Sequence, residues 1–271
     1  MKIILSPAKT MNVDRDSFPV EAMPRFLHQA EQIKAALCAL SPGELKALWK
    51  CSDALCALNV ERLRDMDLQR GLTPAVMSYE GLAYQYMAPG VMEQGQLDYL
   101  RRHLRILSGF YGLLRPFDGV TPYRLEMQAR LSVDGSRDLY GFWGDRLARA
   151  LEEEDNVILD LASVEYSRAV EPHLAPGTRL VKCLFGERQG DKVVEKGSVC
   201  KMARGEMVRW LAERGAQHPG EAKDFHRLGF VFSPERSEEN KLVFLRETAP
   251  RPESLGTEQG PACPGGREKP L

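Results

Sequence analysis

Met1-Lys2-Ile3-Ile4-Leu5-Ser6-Pro7-Ala8-Lys9-Thr10 opens the chain and sets the expected architecture. Three consecutive apolar residues stop at Ser6-Pro7, too soon for the apolar region of a signal peptide. The segment therefore reads as a first buried strand running into a polar loop. Asn156-Val157-Ile158-Leu159-Asp160-Leu161-Ala162 repeats the pattern and is followed by Ser163-Val164-Glu165-Tyr166. Loops leaving the ends of buried strands commonly hold ligands in α/β proteins, which makes both polar blocks candidates for a site.

Around these strands, helices and strands are mixed. Ser41-Pro42-Gly43-Glu44 is a capping box with proline at the first helical position. It follows a helix with an apolar stripe of Phe26, Ala30, Ile33, Leu37 and Leu40, and Leu55, Leu58, Leu63 and Met66 suggest a third. Ala75–Tyr79 reads as a strand, and Leu97, Leu100, Leu104 and Leu107 as one face of a single amphipathic helix. Phe142 to Glu153 reads as helical. Two C-terminal β-hairpins are expected, Thr178–Phe185 with Lys192–Cys200 through Arg188-Gln189-Gly190-Asp191, and Leu228–Phe232 with Lys241–Arg246. A helix from about Lys201 to Arg214 lies between them. The expected fold is a mixed α/β (α+β) single domain over residues 1–247. Nine of the 24 residues from Thr248 to Leu271 are Pro or Gly, so this stretch is expected to be a disordered tail.

The 271 residues carry 37 Lys+Arg against 38 Asp+Glu, a formal net charge of -1, which excludes a charge-driven binder of the histone kind but not a local basic surface. No apolar run reaches the roughly 18–20 residues that span a bilayer. The six cysteines have no CxxC spacing and the five histidines are scattered, so they read as reduced cytoplasmic thiols without a zinc or iron site. No metal and no cofactor is expected.

Five segments can carry chemistry. Ser6–Thr10 offers Lys9 and two hydroxyls to a phosphate, though without the glycines of a phosphate-binding loop. Leu107–Pro116 reads as the turn of a helix-hairpin-helix in which Ser108, Gly109 and Gly112 let phosphate approach the backbone, flanked by Arg101, Arg102, Arg105 and Arg115. An ordinary hairpin with a solvated arginine face explains it equally well. Arg124 and Glu126 share a face if Thr121–Met127 is extended, as a salt bridge or as a phosphate clamp with a base. Ser163 suits a helix N-cap, with Glu165 either catalytic or merely favoured by the helix dipole. Lys201, Arg204 and Gly205 fall on one helical face, the glycine implying close approach of a phosphate backbone or another helix.

Together, Ser-Pro-Ala-Lys-Thr at 6–10, the block from Leu107 to Met127, Phe142-Trp143-Gly144, Leu161-Ala162-Ser163 with Glu165-Tyr166, and Lys201 with Ala203-Arg204-Gly205 resemble the YaaA family of bacterial peroxide-stress proteins. The resemblance implies an unusual α/β fold. It also implies binding of double-stranded or branched DNA through a basic cleft and a helix-hairpin-helix-like element, limiting oxidative damage and free intracellular iron. Met202 stands where that family usually has a second lysine. On this view Lys9, Arg101, Arg102, Arg105, Arg115, Arg124, Lys201 and Arg204 gather in one channel of a cytoplasmic, monomeric protein. The alternative is an enzyme acting on a nucleotide, nucleobase or damaged DNA, with Glu126, Glu165 or Tyr166 as catalytic candidates and Lys9 or Arg124 binding phosphate. It requires these groups to converge in one pocket. Direct iron sequestration is disfavoured by the absence of ligand spacing.

Overall fold

The computed structural model describes residues 1–189 and 192–247. The elements of its main sheet and its longer helices are, in chain order, β1 (Lys2–Leu5), α1 (Leu27–Cys38), α2 (Pro42–Trp49), α3 (Asp53–Arg64), α4 (Leu82–Met87), α5 (Gln94–His103), β2 (Leu104–Ser108) and β3 (Gly112–Leu114). There follow α6 (Arg146–Glu152), β4 (Val157–Asp160), β5 (Arg179–Gln189), β6 (Lys192–Val194), α7 (Gly197–Arg214), β7 (Val231–Phe232) and β8 (Lys241–Glu247). These strands form one sheet in the order β7-β8-β5-β4-β1-β2-β3, with β6 paired to β5. β2, β1, β4, β5 and β8 are mutually parallel, while β3, β6 and β7 are antiparallel to their neighbours. In register, Ile3 lies between Leu104 and Leu159.

The parallel centre explains the sequence. Ile3, Ile4 and Leu5 are buried because both faces of the sheet are covered, and such strands read as continuous apolar runs rather than alternations. Each side chain of this size contributes roughly 1.5–3 kcal/mol on burial. The sheet is therefore mixed α/β and mostly parallel, as expected. The second expected C-terminal hairpin is present, with Phe232 opposite Phe244; the first pairs Glu187–Gln189, not Thr178–Phe185, with Lys192–Val194, because Arg179–Phe185 is taken up by parallel pairing to β4 and β8. The Gly190-Asp191 turn of the first, and the expected tail from Thr248, lie outside the described residues.

Several expectations are corrected. The helix carrying Leu97 and Leu100 ends at His103, and Leu104 and Leu107 belong to β2. All five residues of β2 are buried, so leucines three apart lie inside the sheet rather than on a helical stripe. The block after it is thus no helix-hairpin-helix but a β-hairpin, with Ser108 opposite Gly112. Ala75–Ser78 is one helical turn rather than a strand, because the amides of Ala75 and Val76 bond to the carbonyls of Asp118 and Pro116. β6 stops at Val194, and the expected strand up to Cys200 has become the first turn of α7. The Phe142–Glu153 helix is broken at Gly144, whose φ of +50° ends one short helix, Leu139–Trp143, before α6 begins.

Candidate functional site

The loops leaving β1 and β4 are tied to one another at the carboxyl ends of the strands. The Ser163 amide donates to Ser6 Oγ at 2.8 Å, and Ser6 Oγ donates to Ser163 Oγ at 3.2 Å. Ser163 is the N-cap of the short helix Val164–Ser167, but its hydroxyl is spent on this cross-link rather than on capping. The hydroxyl of Tyr84, on α4, donates to the Ser6 carbonyl at 3.0 Å and brings a third element to the same place.

Above this junction lies a cavity of about 300 Å³ bordered by Lys9, Arg124, Glu126, Glu165, Lys201 and Arg204, with tyrosines 84, 123 and 166 in its wall. Lys9 Nζ is 2.6 Å from Glu126 Oε1, and Arg124 Nη2 is 3.4 Å from the same oxygen. Arg124 and Glu126 therefore do share a face, as an extended Thr121–Met127 requires. Gln128 binds both carboxylates, its side chain donating to Glu126 Oε2 at 3.4 Å and its amide to Glu165 Oε1 at 3.2 Å.

The two carboxylates differ in acidity. Burial pushes Glu165 above the ordinary glutamate range; the charge of Glu126 adds to this, against a hydrogen bond from the Gln128 amide and the charge of Lys9. Burial acts the same way on Glu126, but the hydrogen bond and charge of Lys9, with Gln128 and Arg124, more than offset it and leave Glu126 below its usual value. Neighbouring carboxylates held apart in this manner are the usual material of an acid–base pair.

The cations differ too. Lys201 is exposed and has no ion pair among the described residues. The Nε atoms of Arg124 and Arg204 are buried without a hydrogen-bond partner among those residues, which leaves donors unspent beside the cavity. Arg204 also lends its charge to Asp160, whose carboxyl burial pushes up despite a 2.6 Å hydrogen bond from Ser167 Oγ. α7 reaches the cavity because Gly205 permits it. A Cβ there would overlap the Ala83 carbonyl, so the close approach implied by this glycine is that of helix α4.

Arg101, Arg102, Arg105 and Arg115 lie elsewhere. Arg105 is buried against Glu154 just before β4, and Lys2 Nζ binds Glu154 at 2.8 Å and the Arg102 carbonyl at 2.7 Å. That places them at the amino ends of the strands, opposite the cavity. Arg101 is held by Glu21 and Asp98 and lies over the Phe117 ring, and Arg115 is held by Asp118 at 3.0 Å. The expected single channel does not form, because these arginines lie at the other end of the strands, where acids hold Arg101, Arg105 and Arg115 and Arg102 donates to the Asp98 carbonyl.

Ser108, Gly109 and Gly112 are buried beneath the site. Ser108 Oγ accepts from the amides of Phe110 and Tyr111 and lies 2.6 Å from Tyr123 OH, which is 2.8 Å from Tyr79 OH. The Gly109 carbonyl accepts from Trp143 Nε1 at 3.0 Å. Gly112 has φ +74°, and a Cβ on it would sit 2.7 Å from the Trp143 ring. Gly112 makes room for tryptophan, and Gly109 for the Leu125–Met127 backbone, which a Cβ there would meet at 3.0–3.1 Å; neither makes room for phosphate.

Sequence reasoning missed Gln128, Tyr84 and Tyr140, whose hydroxyl donates to the Glu165 carbonyl at 2.8 Å. The two-residue step from Glu126 was a signal for Gln128; nothing local marked the tyrosines. Among the described residues, no group of three or more His, Cys, Asp or Glu is arranged to hold a metal ion, and no helix is long and apolar enough to cross a membrane.

A family model described as peroxide stress protein YaaA matches residues 1–236. A UPF0246 protein of Lachnoclostridium phytofermentans is 51% identical over 246 residues, 91% of this chain and 96% of its own. A UPF0246 protein of Agathobacter rectalis is 47% identical over 92% of this chain and all of its own, and one of Desulfitobacterium hafniense 48% over 92% and 99%. With a match spanning most of its length and relatives aligned nearly end to end, the chain belongs to the peroxide stress protein YaaA family.

Proposed function

We propose that the protein serves the response to peroxide stress in the cytoplasm by binding DNA, as a monomer, at the carboxyl-end cleft, with one nucleotide unit entering the cavity. The observation that carries this is the convergence of Lys9, Arg124, Lys201 and Arg204 on one concave site from separate parts of the chain. Four cations at one site suit a phosphate, and the unspent guanidinium donors suit its oxygens. The volume falls at the lower end of the roughly 300–1,000 Å³ typical of small-ligand clefts. A duplex is too wide for it, so the double strand would lie across the mouth while a single nucleotide leaves the stack. Anisotropy titrations of a labelled duplex against salt test the placement. Lys201→Glu is expected to weaken binding and to flatten the salt slope by about 0.9 for each phosphate that is no longer neutralised. Unchanged affinity at low salt in both Lys201→Glu and Lys9→Gln would overturn it.

A second reading rests on the divided acidity of Glu126 and Glu165. In it, Glu165, the weaker acid of the two, is the general acid and Glu126 the base acting on the bound nucleotide or damaged base. Mass spectrometry of nucleotides and of oligonucleotides bearing oxidised bases, incubated with the protein, is expected to reveal a product that Glu165→Gln abolishes while still binding. Substrates returned intact by the unaltered protein would remove this reading and leave the first standing.

A further inference from the structure

Two cysteines lie away from the cavity, on the α2–α3 helical hairpin. α2 ends at Lys50, in the left-handed conformation at φ 46°, and Ser52 caps α3 by accepting from the Leu55 amide at 3.5 Å. Cys51 is therefore the residue before the cap, and Cys56 is the fourth residue of the helix. Apolar side chains at these two positions pack together and fix the angle at which a chain enters a helix. Here both are thiols, set by the Ser52 cap at the two positions that face each other across the start of α3. Cys51 is half-buried and open to solvent, whereas Cys56 is 7% exposed and its Sγ lies 3.7 Å from the Pro42 carbonyl of α2.

The surroundings assign unequal roles. Burial pushes the Cys56 thiol up, with Cys51 and Asp53 acting in the same sense and the Lys46 ammonium opposing them. Lys46, ion-paired with Asp53, lies near both thiols, and Cys51 is the one of the two that solvent reaches. Among the other described cysteines, Cys183 and Cys200 are buried, and Cys38 is exposed but is not the partner of a second thiol in this hairpin.

We propose that Cys51 and Cys56 form a peroxide-oxidised dithiol, with Cys51 the attacking and Cys56 the resolving sulfur. The Cys51 thiolate attacks one oxygen of hydrogen peroxide, the O–O bond breaks, and hydroxide leaves and is protonated to water. The Cys51 sulfenic acid is then attacked by the Cys56 sulfur. The S–O bond breaks, the hydroxyl leaves as water with the Cys56 proton, and the S–S bond forms. Two thiols are oxidised by two electrons, and one peroxide is reduced to two waters. A dithiol reductant reverses the change by exchange. The bond would replace an apolar staple by a covalent one and fix α3 against the end of α2.

Trypsin cuts after Lys50 and Arg62, so both sulfurs fall in one peptide, Cys51–Arg62. The full chain is treated with graded hydrogen peroxide, alkylated, digested and weighed. The expected result is a Cys51–Arg62 peptide two hydrogens lighter, unalkylated, restored by dithiothreitol, and formed faster in the folded chain than in urea. In Cys56→Ser the reaction is expected to stop at a sulfenic acid on Cys51 that dimedone captures. If that variant does not fold, the mass of the unaltered peptide decides alone. Oxidation of Cys38 while both hairpin thiols remain alkylatable overturns the proposal. So does Cys51 joined to any cysteine other than Cys56, or an equal rate in urea.

Discussion

Replacing Gly205 by alanine sets two opposed terms against each other. Within a helix the change is worth roughly 1 kcal/mol in favour of alanine. Against it, the new Cβ overlaps the carbonyl of Ala83, with the Ala83 Cα also 2.9 Å away. The obstacle is backbone, so no side chain can swing aside, and α4 or α7 must move as a whole. Overpacking costs typically 1–3 kcal/mol, and the upper end applies where the neighbour cannot yield. The net expectation is a loss of about 2 kcal/mol, against a propensity scale that predicts a gain. With a urea slope of about 3 kcal/mol/M, the unfolding midpoint falls by about 0.7 M. Because α7 carries Lys201 and Arg204 and α4 carries Tyr84, the displacement also widens the cavity, and ligand affinity should fall with stability. An unchanged or raised midpoint at constant slope would falsify the claim that this glycine sets the helix separation.

Further outcomes follow from the same geometry. Glu165 has a folded-state pKa above its unfolded value, so the folded chain binds the extra proton between the two and loses stability as pH rises through that interval. Glu165→Gln should therefore raise the thermal midpoint relative to the unaltered protein at pH 7, with the difference vanishing below the ordinary glutamate pKa; a difference independent of pH would contradict this. Glu126, shifted the other way, contributes stability above its unfolded value that is lost as pH falls through its folded one. Glu126→Gln should then cost stability at pH 7 and nothing in strong acid, measured in the same series. Arg105→Met removes the buried partner of Glu154 and the donors to the Arg101 and Leu104 carbonyls. A loss of about 3 kcal/mol in urea unfolding is expected, with DNA affinity unchanged once the variant is folded.

The sheet was legible where both its faces are buried. Ile3-Ile4-Leu5 and Val157–Leu161 are apolar but for Asp160, and no helix of that length would break at Ser6-Pro7. The Ser41–Glu44 capping box was legible because its hydrogen bonds close within four residues. β2 was not, since leucines at 97, 100, 104 and 107 keep helical spacing straight through the junction at Leu104. Only the parallel pairing with β1, a hundred residues earlier in the chain, turns the second half into a strand. The same non-locality divides the site. The polar blocks at strand ends were found because the carboxyl end of a strand is a local fact, and Lys9, Glu126, Glu165 and Lys201 do meet there. Arg101 and Arg105 were misplaced because two of the acids that hold them, Glu21 and Glu154, are 80 and 49 residues away in sequence.

The buried hydroxyls of Ser108, Tyr123 and Tyr79 have only one consistent order. Both lone pairs of Ser108 Oγ are taken by the amides of Phe110 and Tyr111, so its proton is all it has left to offer. Tyr123 must accept that hydrogen and donate its own to Tyr79, which makes the row a one-way relay ending on Tyr79. Tyr123 thus stands in the cavity wall with no hydroxyl hydrogen to spare for a ligand. Any hydrogen that a bound group accepts must come from elsewhere in the wall, from Lys9, Arg124, Lys201 or Arg204.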